Sequence, residues 1–177
     1  MTSVLRVCVR CVALWMGAAL IAALPAVAGD AVKAVKILRA IPIASTVDIS
    51  ADVRKECEID TKVPNFLKEY AGDKVEVVDA APDHEKGRVL EMEITEVWAT
   101  GGGAWSGPKW MTVMGHLYED GKETGSFRAK RFSTGGMFAG FKGTCTIIGR
   151  CTKEIGKDIS KWIEAPTANA LLGDAKD

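Results

Sequence analysis

Between Gly87 and Thr100 apolar and polar residues alternate, with Leu90, Met92, Ile94 and Trp98 on one face and Glu91, Glu93 and Thr95 on the other. A period of two predicts a strand with one buried and one wet face. Lys109 to Tyr118 predicts the next strand, and Glu119-Asp120-Gly121-Lys122 carries the Asp-Gly step of a tight hairpin. Lys122 to Phe132 then returns antiparallel. Upstream, Val35, Ile37 and Ile41 recur at mostly even spacing, which predicts a strand ending near Pro42, and Lys74 to Asp79 is a short β-branched run that predicts another.

Two segments repeat at helical spacing instead. Val63, Phe66, Leu67 and Tyr70 predict a helix over Asp60 to Tyr70 that stops before Gly72 and reaches back towards Arg54 only with a kink. Pro64 fits that helix if Asp60 or Thr61 is its cap, because the first turn has no internal donor to lose. Ile148, Thr152, Ile155, Ile159 and Trp162 predict an amphipathic helix ending near Pro166, with Arg150, Lys153, Lys157 and Asp158 on its polar side. The order of elements predicts an α+β fold: one mostly antiparallel sheet of about five strands with two helices packed on one face. Residues 29–166 form this single domain, and residues 167–177 are expected to be a flexible tail.

The first 28 residues follow a different pattern. Arg6 and Arg10 precede an apolar run from Cys11 to Leu24, and Pro25-Ala26-Val27-Ala28 follows it. That is the order of a secretory signal peptide cleaved after Ala28. The alternative, an uncleaved anchor, would need roughly 20 apolar residues, and this run is shorter. Cys8 and Cys11 precede the apolar run, so no acylation site follows it and no lipid anchor is expected. The expectation is a periplasmic or secreted protein with no stable membrane span after cleavage.

Cleavage changes the charge and the cysteine count. Losing Arg6 and Arg10 from 23 basic residues leaves 21 against 23 acidic ones. Such a balance carries no basic stripe for a polyphosphate backbone, which argues against nucleic-acid binding. Cys57, Cys145 and Cys151 remain, and an oxidising compartment favours one disulfide among them. If Cys145 and Cys151 share a helix, about 9 Å separates their α-carbons, too far for a bridge, and Cys57 pairs with one of them. If the helix starts only near Thr152, the local pair is open.

The most distinctive local feature is a pair of glycine-rich loops, Gly101 to Gly107 and Gly135 to Gly143. Such loops can hold anions ahead of a helix, but neither has the spacing of a phosphate loop. As plain connections, their glycines supply positive φ. As a surface, Trp105, Met137, Phe138 and Phe141, with Lys109 and Lys142 beside them, would meet a protein or lipid partner. Catalytic candidates are sparse. His84 beside Asp83 reads as a surface turn, His116 as a sheet residue, and Ser106 and Ser133 lack an elbow motif. Glu91, Glu93 and Glu96 could form a carboxylate cluster, but Glu91 and Glu93 read as same-face strand residues satisfied by cross-strand cations such as Arg128 and Lys130. The scattered histidines and cysteines give no closed metal-ligand spacing, and no cofactor is expected.

The run GRVLEMEITEV, then GGGAWSG, MTVMGHLYEDGKETGSF, STGGMFAGFKG and CTKEIGKDISKWI resembles a class of uncharacterised bacterial envelope proteins. Members of that class look similar in architecture to the N-terminal domain of TolB and to CsgG-type outer-membrane assembly proteins. The resemblance covers about the last half of the chain and implies a non-enzymatic accessory with an envelope protein partner, possessing no catalytic residues to carry over. The competing expectation is a small-ligand or inhibitor-type binding module that uses a pocket between sheet and helices. An enzyme ranks behind both, since no nucleophile and base fall at a familiar spacing.

Overall fold

The hairpin sets the register of the sheet. In the computed structural model, which describes residues 33–102, 105, 107–137 and 139–176, β4 (Lys109–Glu119) and β5 (Lys122–Ser133) are joined by Asp120 and Gly121, at φ 47° and 83°. Positive φ at both central residues gives the twist that antiparallel neighbours need. β3 (Arg88–Trp98) pairs antiparallel with β4 on its other side. β1 (Val35–Leu38) lies parallel to both β3 and β2 (Val75–Val78), so the sheet runs β2-β1-β3-β4-β5 and continues into a sixth strand. The fold is α+β, with an antiparallel centre and parallel edges. The signal segment 1–28, its cleavage after Ala28, and the loop residues Ser106 and Phe138 lie outside the described residues.

The sixth strand is where the expected loose tail lies. β6 (Ala170–Gly173) pairs parallel with Phe127 to Lys130 of β5. Its approach is fixed by Ser126, whose backbone N–H donates to Thr167 O at 3.1 Å and whose Oγ accepts from Asn169 N at 3.0 Å. Beyond it, Asp174 accepts from Phe132 N at 3.1 Å. Four residues without alternation give no strand signal; the unpaired edge of β5 recruits them.

The first predicted helix is two. α1 (Ala51–Cys57) is capped by Ser50, whose Oγ accepts from Val53 N at 3.2 Å, and Glu58 at φ 48° separates it from α2 (Ile59–Ala71). Pro64 therefore sits inside α2 rather than in its first turn. It has no N–H for Asp60 O, and Ile41 N donates to that carbonyl instead at 3.1 Å. The lost helical bond is thus replaced by one to the chain leaving β1.

α3 (Thr144–Trp162) packs against α2, β4 and β5. Gly156 permits close approach to α2: a β-carbon there would lie 2.7 Å from Phe66 Cβ and 2.9 Å from Leu67 N. Val35, Ile37, Leu67, Met111, Val113, Ile155 and Ile159 fill the space between sheet and helices, all fully buried. Core side chains fill the middle of that layer, where a pocket was expected, and a cavity of about 280 Å³ remains at its rim, between residues 131–133 of β5 and residues 150–154 of α3. Phe127 lies over Gly115 and meets Trp162 edge-on at 4.8 Å.

α3 begins at Thr144, so it carries both Cys145 and Cys151. Cys145 bridges to Cys57 at the end of α1, with α-carbons 4.7 Å apart, and Cys151 is left as a buried thiol that donates to Lys109 O at 3.6 Å. Arg131 clamps the same helix to the sheet edge, donating to both carboxylate oxygens of Asp158 at 2.7 and 2.9 Å and to Asp174 at 3.4 Å. The fork geometry of guanidinium and carboxylate suits such a two-bond clamp.

Candidate functional site

Both glycine-rich loops sit at the end of the molecule where α3 begins. The second is drawn into a ring by Lys142, whose Nζ donates to Gly135 O and Met137 O, both at 2.8 Å. Gly136, at φ 63°, lies so close to Arg150 that a β-carbon would come 2.7 Å from its Nη1. Trp105 Nε1 donates to Gly140 O at 3.2 Å, which joins the first loop to the second, and Thr144 Oγ1 donates to Thr100 O at 3.0 Å behind them.

These contacts use main chain and polar atoms and leave the apolar groups outside. Trp105 is 86% exposed, Met137 78% and Phe141 93%. Of the residues expected at a surface, these three are exposed. Lys142 holds the loop together rather than facing a partner. Lys109 is not at the surface: it is fully buried, its Nζ donates to Gly107 O at 3.1 Å and to Thr100 Oγ1 at 3.4 Å, and burial pushes its ammonium pKa down. Position 109 begins β4 with its side chain turned inwards, alongside Met111 and Val113.

The sequence running through the second loop is one-sided in charge, although acidic residues from elsewhere pair with Arg128 and Arg131. From Thr124 to Lys153 the chain holds no acidic residue, while Arg128, Lys130, Arg131, Lys142, Arg150 and Lys153 are all basic. The chain as a whole has zero formal charge, so a local basic stretch coexists with overall neutrality.

A second feature was not read from the sequence. The sheet face opposite the helices carries Trp98, Trp110 and Phe132 at directly opposed positions of β3, β4 and β5. Trp98 was expected on the buried face. A bulge between Ile94 and Glu96 inserts one residue and reverses the alternation beyond it, so Val97 packs against the core and Trp98 turns outwards. Its ring stacks on that of Trp110, with centroids 5.0 Å apart and planes 9° from parallel. Between Trp110 and Phe132 lies a groove of about 350 Å³, which Pro108, Arg128, Lys130 and Asp174 also line.

The remaining candidates are pairs rather than clusters. His84 Nε2 is 3.3 Å from Glu91 Oε1, and His116 Nδ1 is 2.9 Å from Glu123 Oε1. Arg128 Nη2 donates to Glu96 Oε1 at 3.1 Å, so the cation expected opposite Glu91 and Glu93 serves the residue beyond the bulge. Thr112 Oγ1 donates to the other oxygen of Glu96 at 2.8 Å. Among the described residues no three histidine, cysteine or acidic side chains are placed to hold a metal ion, and no helix is long and apolar enough to cross a membrane.

The fold and these surfaces define an α+β domain with one sheet face sealed by helices, the other left open by the described residues, and two joined loops that expose apolar side chains. No family model and no curated protein matches the chain. Among solved structures it is similar to the PelC dodecamer from Paraburkholderia phytofirmans, at 13% identity and a TM-score of 0.45 over 71% of this chain and 86% of that one. It is also similar to a minor lipoprotein from Acinetobacter baumannii, at 13% identity and a TM-score of 0.37 over 76% of this chain and 92% of that one. A likeness this loose carries no residue or activity across, and it does not show relatedness to TolB or CsgG-type domains.

Proposed function

We propose that the protein is an exported, non-catalytic interaction protein of the bacterial envelope, and that its contact surface is the loop end bearing Trp105, Met137 and Phe141. The observation that carries this reading is the bond from Trp105 Nε1 to Gly140 O. It ties the first loop to the second, and Trp105, Met137 and Phe141 on these joined loops are left largely in water. Large exposed aromatics grouped in this way are what protein interfaces bury, and aromatic anchors dominate their energetics. Export is supported by the leader pattern of residues 1–28 and by the Cys57–Cys145 bridge, which an oxidising compartment maintains.

The test is capture from envelope extracts by the mature protein and by the double variant Trp105→Ala and Phe141→Ala. Both residues are exposed, so the variant's melting temperature should match that of the parent. A partner retained by the parent and lost by the variant is the expected result. Equal capture by both would remove the loop end from the account.

A further inference from the structure

The aromatic ladder on the open sheet face changes character along its length. Trp98 and Trp110 close on each other by stacking. Trp110 and Phe132 are paired just as directly in the register, yet the groove opens between them, and Phe132 remains 59% exposed. Its walls are apolar: the Trp110 indole, the Phe132 ring and Pro108. The charges lining it are almost all matched. Arg128 is held by Glu96. Asp174 accepts from Arg131 and from Phe132 N. The Lys130 side chain makes no hydrogen bond or ion pair with any described residue, its main chain being held in the ladder between β4 and β6. It stands on β5 two positions from Phe132, on the same face of the sheet.

We infer that this groove binds a flat aromatic ring carrying one anionic group, with the ring against Trp110 and Phe132 and the anion at Lys130. Each part follows from the lining. Aromatic walls favour a flat apolar ring through offset or edge contacts, worth about 0.5–1.5 kcal/mol per pair beyond the area buried. A single unmatched ammonium favours one carboxylate or equivalent anion, and burying either partner beside apolar walls strengthens the attraction over its value in open water. A volume of about 350 Å³ is ample for a bicyclic aromatic ring. The site lies on the open sheet face and uses none of the loop side chains Trp105, Met137 and Phe141.

The probe is 2-naphthoate, with the uncharged 2-naphthalenemethanol as its control, followed by chemical shift changes of the tryptophan indole N–H groups. Naphthoate should shift the Trp110 signal saturably. Phe132→Ala should weaken it about tenfold or more, and Lys130→Gln about three- to tenfold, as a partly exposed charge contact allows. Lys130→Gln should leave the neutral control unchanged. Trp105→Ala with Phe141→Ala should leave naphthoate binding intact, which separates this site from the loop surface. Absence of saturation up to about 10 mM, weaker than any binding of interest, would overturn the inference. So would equal affinity in parent, Phe132→Ala and Lys130→Gln. An intact melting temperature for both variants excludes loss of fold as the cause.

Discussion

The two faces of this sheet are made by the same strands, yet their aromatic and basic residues serve different ends. On the covered face, Phe127 lies over Gly115, Trp162 lies over Gly125, and Lys109 is sealed with its ammonium bonded to backbone and hydroxyl oxygens. On the open face, Trp98, Trp110 and Phe132 stand at the matching register with no layer of described residues above them, and the Lys130 side chain has no partner among the described residues. A side chain's chemistry alone therefore does not mark it as functional. What separates the faces is whether a second layer satisfies it, and one inserted residue at the β3 bulge decides this for Trp98.

That contrast can be broken by substitution. The largest loss of stability should come from replacing Cys57 and Cys145 with alanine. The bridge spans 88 residues, and releasing a loop of that size costs about 3–5 kcal/mol by chain-entropy reasoning. Denaturant unfolding would measure it. On the covered face, Ile155→Ala should cost about 2–4 kcal/mol through lost burial and a residual cavity, while leaving capture of a loop-end partner unchanged. On the open face the order reverses: Phe132→Ala should cost less than about 1 kcal/mol of stability, as expected where no packing layer is lost, and should weaken binding in the groove by about tenfold or more.

Cys151 offers a sharper probe of the covered layer. Burial pushes its thiol up to about 12 from an ordinary value of 9.0. The unfolded chain releases that proton near the ordinary value, whereas the folded chain keeps it to about 12, so between them the unfolded state binds fewer protons. Stability should fall as pH rises through that window. Cys151→Ala should remove this part of the slope when unfolding is compared at about pH 8 and about pH 11. The smallest effect belongs to the exposed Lys74–Glu164 pair at 2.6 Å. Its lysine holds the Glu164 carboxyl below the usual range, so any contribution is present at neutral pH and fades as the carboxyl protonates in acid. Solvent screening makes Glu164→Gln indistinguishable from the parent in thermal unfolding at neutral pH.

The strands and long helices were legible because their periodicity is strong over ten or more residues, as in β3 and α3. The disulfide became legible once α3 was seen to begin at Thr144, since a single helix keeps Cys145 and Cys151 apart. Three features resisted. The four residues of β6 have no alternation and are ordered by an edge they meet only in the folded chain. Pro64 signalled a helix start because the bond from Ile41 N to Asp60 O comes from a distant segment. The ladder of Trp98, Trp110 and Phe132 depends on a bulge and on register across three strands. In the loop cluster, composition pointed to Trp105, Met137 and Phe141, but only geometry showed that Lys109 and Lys142 are spent on holding the loops.

The claim that the loop end is the contact surface is tested most directly by photo-cross-linking in cells. A photoreactive residue replaces Phe141 in one strain and Glu69, an exposed position on α2, in another. The account predicts a discrete cross-linked envelope species from position 141 that Trp105→Ala abolishes, and none from position 69. The same products from both positions, or none from position 141, would contradict it.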